Sequence, residues 1–308
     1  MSKLLGEYVN GNYNVLIYED GTKIRQNELD NLTPDFAESI DVKITDKCLV
    51  GCSFCYENCK KDGKHSDIMK QAWISSVHPY TELAINGNDL DHPDLYTFLN
   101  YMKSKNVIVN MTVNQSQFIC YKNKIDRLIR NKKIFGIGVS INSSIKREVL
   151  IELTKYPNLV VHVVNGLITE NTILKYKEEF CKLKILILGY KSIGRGLIYE
   201  SDKTNKVEEN KNWLKENIIN LIQRRIFKIC SFDNLAVEQL DLEKQRREKT
   251  GLNWDELYMG NDGNYSFYID AVNETYSISS INKNNNLPIG NKTVDEMFKN
   301  IRDGREIL

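Results

Sequence analysis

The sequence contains no apolar run approaching the roughly 18 residues that would span a bilayer. Its first residues, Met1 to Tyr8, hold no apolar core of signal-peptide length. Both absences point to a cytosolic protein. Net charge is also lacking: 42 Lys and Arg stand against 41 Asp and Glu, which excludes the broad positive footprint of a general nucleic-acid binder. The four histidines, His65, His78, His92 and His162, show no metal-ligand spacing among themselves, and no internal repeat is visible beyond an alternation of strands and helices. His92, before Pro93 at a helix entry, and His162, inside an apolar strand, read as structural.

The chain does carry ample core-forming material, 41% hydrophobic against 27% charged in 308 residues, and α/β barrels of this length routinely form one domain. Residues 8–25 read as a β-hairpin with turns at Asn10-Gly11 and Asp20-Gly21, followed by a linker from Asn31 to Glu38. Strands are expected at 41–45, 81–85, 107–113, 135–141, 159–164, 184–188 and 226–232. Helix faces are marked by Ile68/Met69/Ala72/Trp73, Leu95/Phe98/Leu99/Met102, Ile125/Leu128/Ile129 and Ile218/Leu221/Ile222. Right-handed crossovers would wind such βαβ units into a parallel sheet or barrel. The stretch from 189 to about 205 is long for a connection and reads as a functional loop. After Leu240 the pattern changes to a charged run, a hairpin over 265–280, an Asn-rich loop at 282–286 and a final helix opened by Thr293-Val294-Asp295-Glu296, a capping box. The expected division is therefore 1–38, 39–240 and 241–308.

Seven cysteines are present, three of them crowded into Cys48, Cys52 and Cys55 directly after the first strand of the alternation. Clustering of this kind in a reducing compartment favours a metal site over disulfides. Spacings of three and then two intervening residues let three thiolates hold one cubane cluster and leave the fourth iron open. A zinc knot completed by Cys59 or His65 is the competing reading, although zinc sites usually pair two short dyads and no second dyad exists here. Cys59 is taken as a free thiol, since a fourth ligand would close the open iron. Cys120 and Cys181 lie on helical segments and are expected in the core.

With Phe54 just before the third cysteine, this segment resembles the signature of the radical S-adenosylmethionine (radical SAM) enzymes. That resemblance extends over about 40–240 and implies a partial (β/α)6 TIM-like barrel, flanked here by the N-terminal β-hairpin and a small α+β C-terminal extension. It implies a [4Fe-4S] cluster on Cys48, Cys52 and Cys55, S-adenosyl-L-methionine on the open iron, and reductive cleavage to a 5′-deoxyadenosyl radical that abstracts hydrogen from a peptide, nucleotide or small metabolite. A flavodoxin- or ferredoxin-type electron donor follows. The family's two glycines and glutamate after the second strand match only at Gly87; Asn86 and Asn88 replace the others, so amide oxygens or carbonyls would have to receive the cofactor's ammonium, or the segment is a plain turn, and a protein that binds without turnover is the alternative function. Asn114, Ser140 and Asn142 end the third and fourth strands, where relatives contact ribose and carboxylate; all three are also common turn formers. Lys191 and Arg195 sit among Gly189, Gly194 and Gly196 and could hold an anion at the mouth, or form a solvated basic loop. Strand alternation turns either Cys230 or Ser231 inward, making Cys230 a candidate hydrogen-atom relay, against core filling as the plainer reading. No cysteine follows Cys230, which implies one cluster per chain, and the 241–308 tail is expected to cover the mouth and help select substrate.

Overall fold

The computed structural model describes residues 2–28, 31–86, 89–250, 254, 258, 260–281 and 285–305. The chain starts with a three-stranded antiparallel sheet, β1 (Leu4–Asn10), β2 (Tyr13–Tyr18) and β3 (Lys23–Gln26), so a third strand joins the expected hairpin. Tyr13, Val15 and Ile17 alternate inward along β2 and are buried. The expected linker is pinned rather than loose. Glu38, 1% exposed, accepts the Tyr13 hydroxyl at 2.6 Å and both arms of Arg25 at 2.8 and 2.9 Å. Burial alone would raise its pKa, but Arg25 and Lys23 hold it below the usual glutamate value.

Seven parallel strands follow: β4 (Ser39–Lys43), β5 (Glu82–Asn86), β6 (Ile108–Asn114), β7 (Gly136–Ile141), β8 (Leu159–Val164), β9 (Lys184–Leu188) and β10 (Ile229–Phe232). They lie side by side in sequence order, as short right-handed crossovers dictate. The C-terminal segment enters the same sheet. β11 (Ser266–Asp270) pairs parallel with the free edge of β4, and β12 (Thr275–Ser277) and β13 (Leu287–Pro288) continue antiparallel from it. The ten-stranded order is β10-β9-β8-β7-β6-β5-β4-β11-β12-β13, open at both ends.

One face of the sheet is apolar throughout. Val42, Ile85, Met111, Val139, Val161, Ile185 and Ile269 belong to a single buried cluster with helix residues Phe98, Leu99, Leu128, Leu150, Ile218 and Phe298. Expected helices form at Leu95–Ser104, Lys122–Arg130 and Val207–Gln223. The segment bearing Ile68 and Trp73 differs, forming two 3₁₀ turns, Ile68–Lys70 and Ala72–Ser76, because Gln71 between them is extended and spends its side chain on the Ala271 carbonyl and the Trp73 indole. The 189–205 connection contains a short helix, Arg195–Ser201. Cys120 and Cys181 are exposed rather than core, since Phe118 and Phe180 fill the inward positions of their helical turns. Among the described residues no helix is long and apolar enough to cross a membrane.

The opposite face is polar, and this is what positions the site. Register carries Asp41 across to Ala84 and Asn110, and carries Asn114 across to Ser140, His162, Leu186 and Ser231. A parallel sheet covered on both sides would read as continuous apolar runs; alternation here marks a face that the helices leave open.

Candidate functional site

The carboxyl ends of the parallel strands gather the polar residues at one edge, where ligands bind in folds of this kind. The dominant feature is the loop from Ile44 to Ser66. Its base is stitched by Asp46 N–H donating to the Lys64 carbonyl at 2.8 Å, Lys60 N–H to Asp46 O at 2.9 Å and Cys48 N–H to Lys60 O at 2.8 Å. Gly63 is required at this crossing, because a Cβ there would lie 2.2 Å from the Asp46 oxygen. Cys48, Cys52 and Cys55 are free, half-buried thiols on this loop, while Cys59 is buried beneath it.

Three sets of contacts brace the loop. Arg195 donates Nε to the Cys52 carbonyl at 3.0 Å and Nη2 to the Cys59 carbonyl at 3.1 Å, and its backbone N–H reaches Asn58 Oδ1 at 2.8 Å and the Cys55 carbonyl at 3.2 Å. Gly194 makes this approach possible: its φ is +57°, and a Cβ would meet the Tyr56 carbonyl at 2.5 Å. Arg195, expected to face an anion, thus holds loop carbonyls. Second, Lys43, 3% exposed, ties Asp46 (2.6 Å) and Glu57 (3.3 Å) of the loop to Asp270 of β11 (3.0 Å). Third, Phe54 packs edge-on against Tyr199, centroids 5.7 Å apart, beside buried Leu167, Tyr190 and Val207.

Asn114 links the loop to the third parallel strand. Its Oδ1 caps the helix Gln115–Cys120 by accepting Ser116 N–H at 2.8 Å, which turns its amide nitrogen toward Cys52 Sγ at 3.8 Å. Asn142 spends its oxygen on a local turn, accepting from Ser144 N–H at 2.9 Å and Ser144 Oγ at 2.7 Å. Ser140 stays on the open face of β7, half-buried, and Asn86 ends β5, separated from it by β6; Gly87 and Asn88 lie outside the described residues.

Cys230 requires a correction. It pairs with Ile185, a member of the helix-covered core, so its thiol lies on the far side of the sheet from the open face, and burial pushes its pKa up to about 12. Ser231 takes the inward position, where its hydroxyl bonds the Ile185 carbonyl at 3.2 Å. A hydrogen-atom relay through Cys230 is therefore not available.

Asp41, which the sequence reading passed over, and His162, which it read as structural, stand on the open face. Asp41 projects there from β4, and the protein surrounding it pushes its carboxyl up to about 6, with Lys191 opposing. His162 lies over Gly138 so closely that a Cβ on that glycine would sit 2.4 Å from the ring, and burial lowers its pKa to about 4. The signal was their polar character at odd positions in Asp41-Val42-Lys43 and Val161-His162-Val163. Lys191 reaches the same region, donating to Ser280 Oγ at 2.7 Å with its ammonium 4.0 Å from the Tyr56 ring. Burial lowers its pKa, and the carboxylates of Asp233, Asp41, Glu57 and Asp262 pull it back up.

The thiols themselves differ. Burial and its two neighbouring thiols push Cys52 up to about 11, whereas a hydrogen bond from Cys59 lowers Cys55 to about 6. Among the described residues no three Cys, His, Asp or Glu side chains converge tightly enough to ligate a single metal ion. His65, the possible fourth zinc ligand, is engaged elsewhere, with Nδ1 at 2.9 Å from Thr45 Oγ1 and its ring 5.1 Å from His92.

No protein-family model and no curated protein matches the sequence. Solved structures do match. SuiB of Streptococcus suis bound to S-adenosylmethionine superposes with a TM-score of 0.60 at 13% identity, covering 98% of this chain and 90% of that one. The same enzyme bound to its precursor peptide SuiA gives 0.57 at 13% identity over 90% and 82%. Native anSMEcpe with bound AdoMet gives 0.52 at 11% identity over 88% and 83%. Both are radical SAM enzymes. This chain has the radical SAM fold. In that fold the carboxyl edge just described, with its cysteine loop after the first parallel strand, is the candidate active site, and the sheet is open rather than a closed barrel.

Proposed function

We propose that this protein is a radical SAM enzyme that holds a [4Fe-4S] cluster on Cys48, Cys52 and Cys55 and cleaves S-adenosyl-L-methionine to initiate hydrogen abstraction from a peptide substrate. The observation that carries this reading is the cysteine loop: three free thiols held by one braced backbone at the edge of an open polar sheet face. The donor set fits a cubane, which takes each thiolate on a separate iron and needs no fourth protein ligand, and the Asn114 amide offers a hydrogen bond to one sulfur. Such a cluster, when bound and reduced by an external one-electron donor, would supply the electron that splits the sulfonium into methionine and a 5′-deoxyadenosyl radical.

The protein's own part is positional. Arg195, Lys43 and the Phe54 contacts keep the loop backbone fixed, so that ligand geometry is set before any cofactor arrives. Asn86 at the end of β5 and Ser140 on the open face offer neutral polar groups to the cofactor's methionine and ribose. Those neutral acceptors hold an ammonium less firmly than a carboxylate does, so cofactor affinity is the step most exposed to failure. The peptide assignment is supported by the likeness to SuiB, which was solved with a precursor peptide, and by the open sheet edge at β10, which leaves the polar face accessible from one side.

Anaerobic reconstitution with iron and sulfide, reduction by dithionite and chromatographic detection of 5′-deoxyadenosine test the reading. About four irons per chain and 5′-deoxyadenosine formed from S-adenosylmethionine are expected. Zinc in place of iron and sulfide, or a fully loaded cluster that yields no 5′-deoxyadenosine with candidate peptides present, overturns it.

A further inference from the structure

We propose that Asn114 is a potential-setting residue, whose side-chain amide donates a hydrogen bond to the Cys52 sulfur and makes the cluster held there easier to reduce. This rests on the iron–sulfur reading above, and it gives Asn114 a task other than the ribose or carboxylate contact expected at its strand end. Asn114 Nδ2 stands 3.8 Å from Cys52 Sγ, within reach of the large sulfur atom and 62 positions away in the chain. The other partners of the amide fix its orientation. Asn114 Oδ1 accepts Ser116 N–H at 2.8 Å, and Gln117 Oε1, on a residue 5% exposed, accepts Asn114 N–H at 2.9 Å, a reciprocal capping box at the start of the helix Gln115–Cys120. Turning the amide over to present its oxygen to sulfur would break that cap. Gln115 fastens the same strand end to the next loop, accepting Asn142 N–H at 3.2 Å and donating to Ser144 Oγ at 3.0 Å. The donor is therefore held in place before any cofactor arrives.

The origin of the donor separates this bond from those local to the loop. Cys55 receives the backbone N–H groups of Glu57 and Cys59 and the Cys59 thiol, all from its own turn. Cys52 takes a side-chain donor from the third parallel strand, while Arg195 Nε holds its carbonyl at 3.0 Å, so both ends of that residue are gripped from outside the loop. The sign of the effect follows from charge. A cluster that gains one electron spreads negative charge onto its thiolate sulfurs, and an N–H aimed at one of them stabilises the reduced state more than the oxidised one. Asn114 and Cys52 are both half-buried, and partial exclusion of water strengthens the interaction. Gln117 acts only through Asn114 and is a positioning residue.

Redox titration of the anaerobically reconstituted full chain, followed by EPR without S-adenosylmethionine, reads the midpoint. Asn114→Ser keeps an oxygen for the helix cap but has no nitrogen to offer the sulfur. At a fixed poise its ratio of reduced to oxidised cluster is expected to fall roughly three- to tenfold, the upper figure being a shift of about 59 mV to more negative potential for one electron. Gln117→Ala should shift the midpoint the same way by less, and Gln117→Glu, which still accepts the Asn114 N–H, should restore it. Pulsed EPR of the reduced cluster in protein carrying isotopically labelled asparagine should show a weak nitrogen coupling that Asn114→Ser abolishes. A wild-type midpoint in Asn114→Ser at full iron content overturns the proposal. An unmoved midpoint with weakened S-adenosylmethionine binding overturns it equally and assigns Asn114 to the cofactor. If Asn114→Ser loses its iron, the Gln117 pair decides, and equal midpoints in Gln117→Ala and Gln117→Glu overturn the proposal. A wild-type chain that assembles no iron–sulfur cluster refutes the iron–sulfur reading itself, and this proposal with it.

Discussion

Replacing Lys43 by Met is expected to destabilise the protein by about 3 kcal/mol, because it removes the cation that bridges three carboxylates. The magnitude follows from who is left behind. Breaking a buried ion pair by deleting one partner costs roughly 3–5 kcal/mol. Asp46 has a side chain 29% exposed and can turn to water, so it adds little. Glu57 and Asp270, with side chains 6% and 7% exposed, cannot. Asp270 keeps some compensation from the Val272 and Asn273 backbone N–H groups at 3.1 and 3.0 Å, and Glu57 from the Tyr268 hydroxyl at 3.3 Å. That places the loss at the low end of the range. Urea unfolding followed by circular dichroism reads it as a lower midpoint with an unchanged slope. Lys43→Met/Asp270→Asn should recover at least about 1 kcal/mol relative to the single variant, since one uncompensated charge is gone. A single-variant loss under about 1 kcal/mol, or a double variant no more stable than the single, would refute the reasoning.

Arg195→Met removes two guanidinium bonds, to the carbonyls of half-buried Cys52 and buried Cys59, and is expected to cost about 2 kcal/mol of local stability, read as roughly thirtyfold faster hydrogen exchange across 48–59 and poorer iron retention; Arg195→Lys should restore part of it, and unchanged protection in the Met variant would count against the brace. His162 stays neutral in the folded protein down to about 4, whereas the unfolded chain takes a proton near its ordinary value of about 6.5. Stability should therefore fall as pH drops through that window and level off below it, by about 2 kcal/mol more in the wild type than in His162→Asn; equal pH dependence in the two would sink the assignment. Gly138→Ala drives a methyl to 2.4 Å from the His162 ring and 3.0 Å from Thr112 Oγ1, so a loss of about 1–3 kcal/mol is expected in thermal melts, largely relieved in Gly138→Ala/His162→Ala. No relief in that double variant would show that the clash lies elsewhere.

Much of the barrel was legible because its strands carry their own local signal. Val and Ile marked most of the parallel strands, and the spacing of Cys48, Cys52 and Cys55 marked the loop after the first. The capping box at Thr293 was equally local: Thr293 N–H reaches Glu296 Oε2 at 2.7 Å, and Glu296 N–H reaches Thr293 Oγ1 at 3.2 Å. What local pattern leaves open is parity. In Ile229-Cys230-Ser231-Phe232 alternation says that neighbouring residues face opposite ways without saying which way is inward, and only pairing with Ile185 assigns Cys230 to the core. Arg195 was misjudged for a different reason. A cation at a barrel mouth suggests an anionic ligand, but carbonyl oxygens are acceptors too, and those of Cys52 and Cys59 come near only through folding across more than 130 residues of chain.

The C-terminal segment shows the same limit and carries a consequence. Its hairpin was visible, but nothing local told that Phe267-Tyr268-Ile269 would pair in parallel with β4, since that partner is chosen by tertiary docking. Once paired, the segment supports the cysteine loop directly. Asp270 anchors Lys43, Tyr268 reaches Glu57, and Ser280 holds Lys191, so the cysteine loop is braced by residues more than 200 positions downstream. Deleting 241–308 would expose the β4 edge and remove these supports together, and loss of activity on deletion would say nothing about substrate selection. A point change that spares the sheet separates the two roles. Ser280→Ala removes the hydroxyl that holds Lys191 while leaving β11 and Asp270 in place, so if this contact braces the loop iron retention should fall in the variant, whereas wild-type iron content with a raised substrate KM would assign the segment to substrate selection.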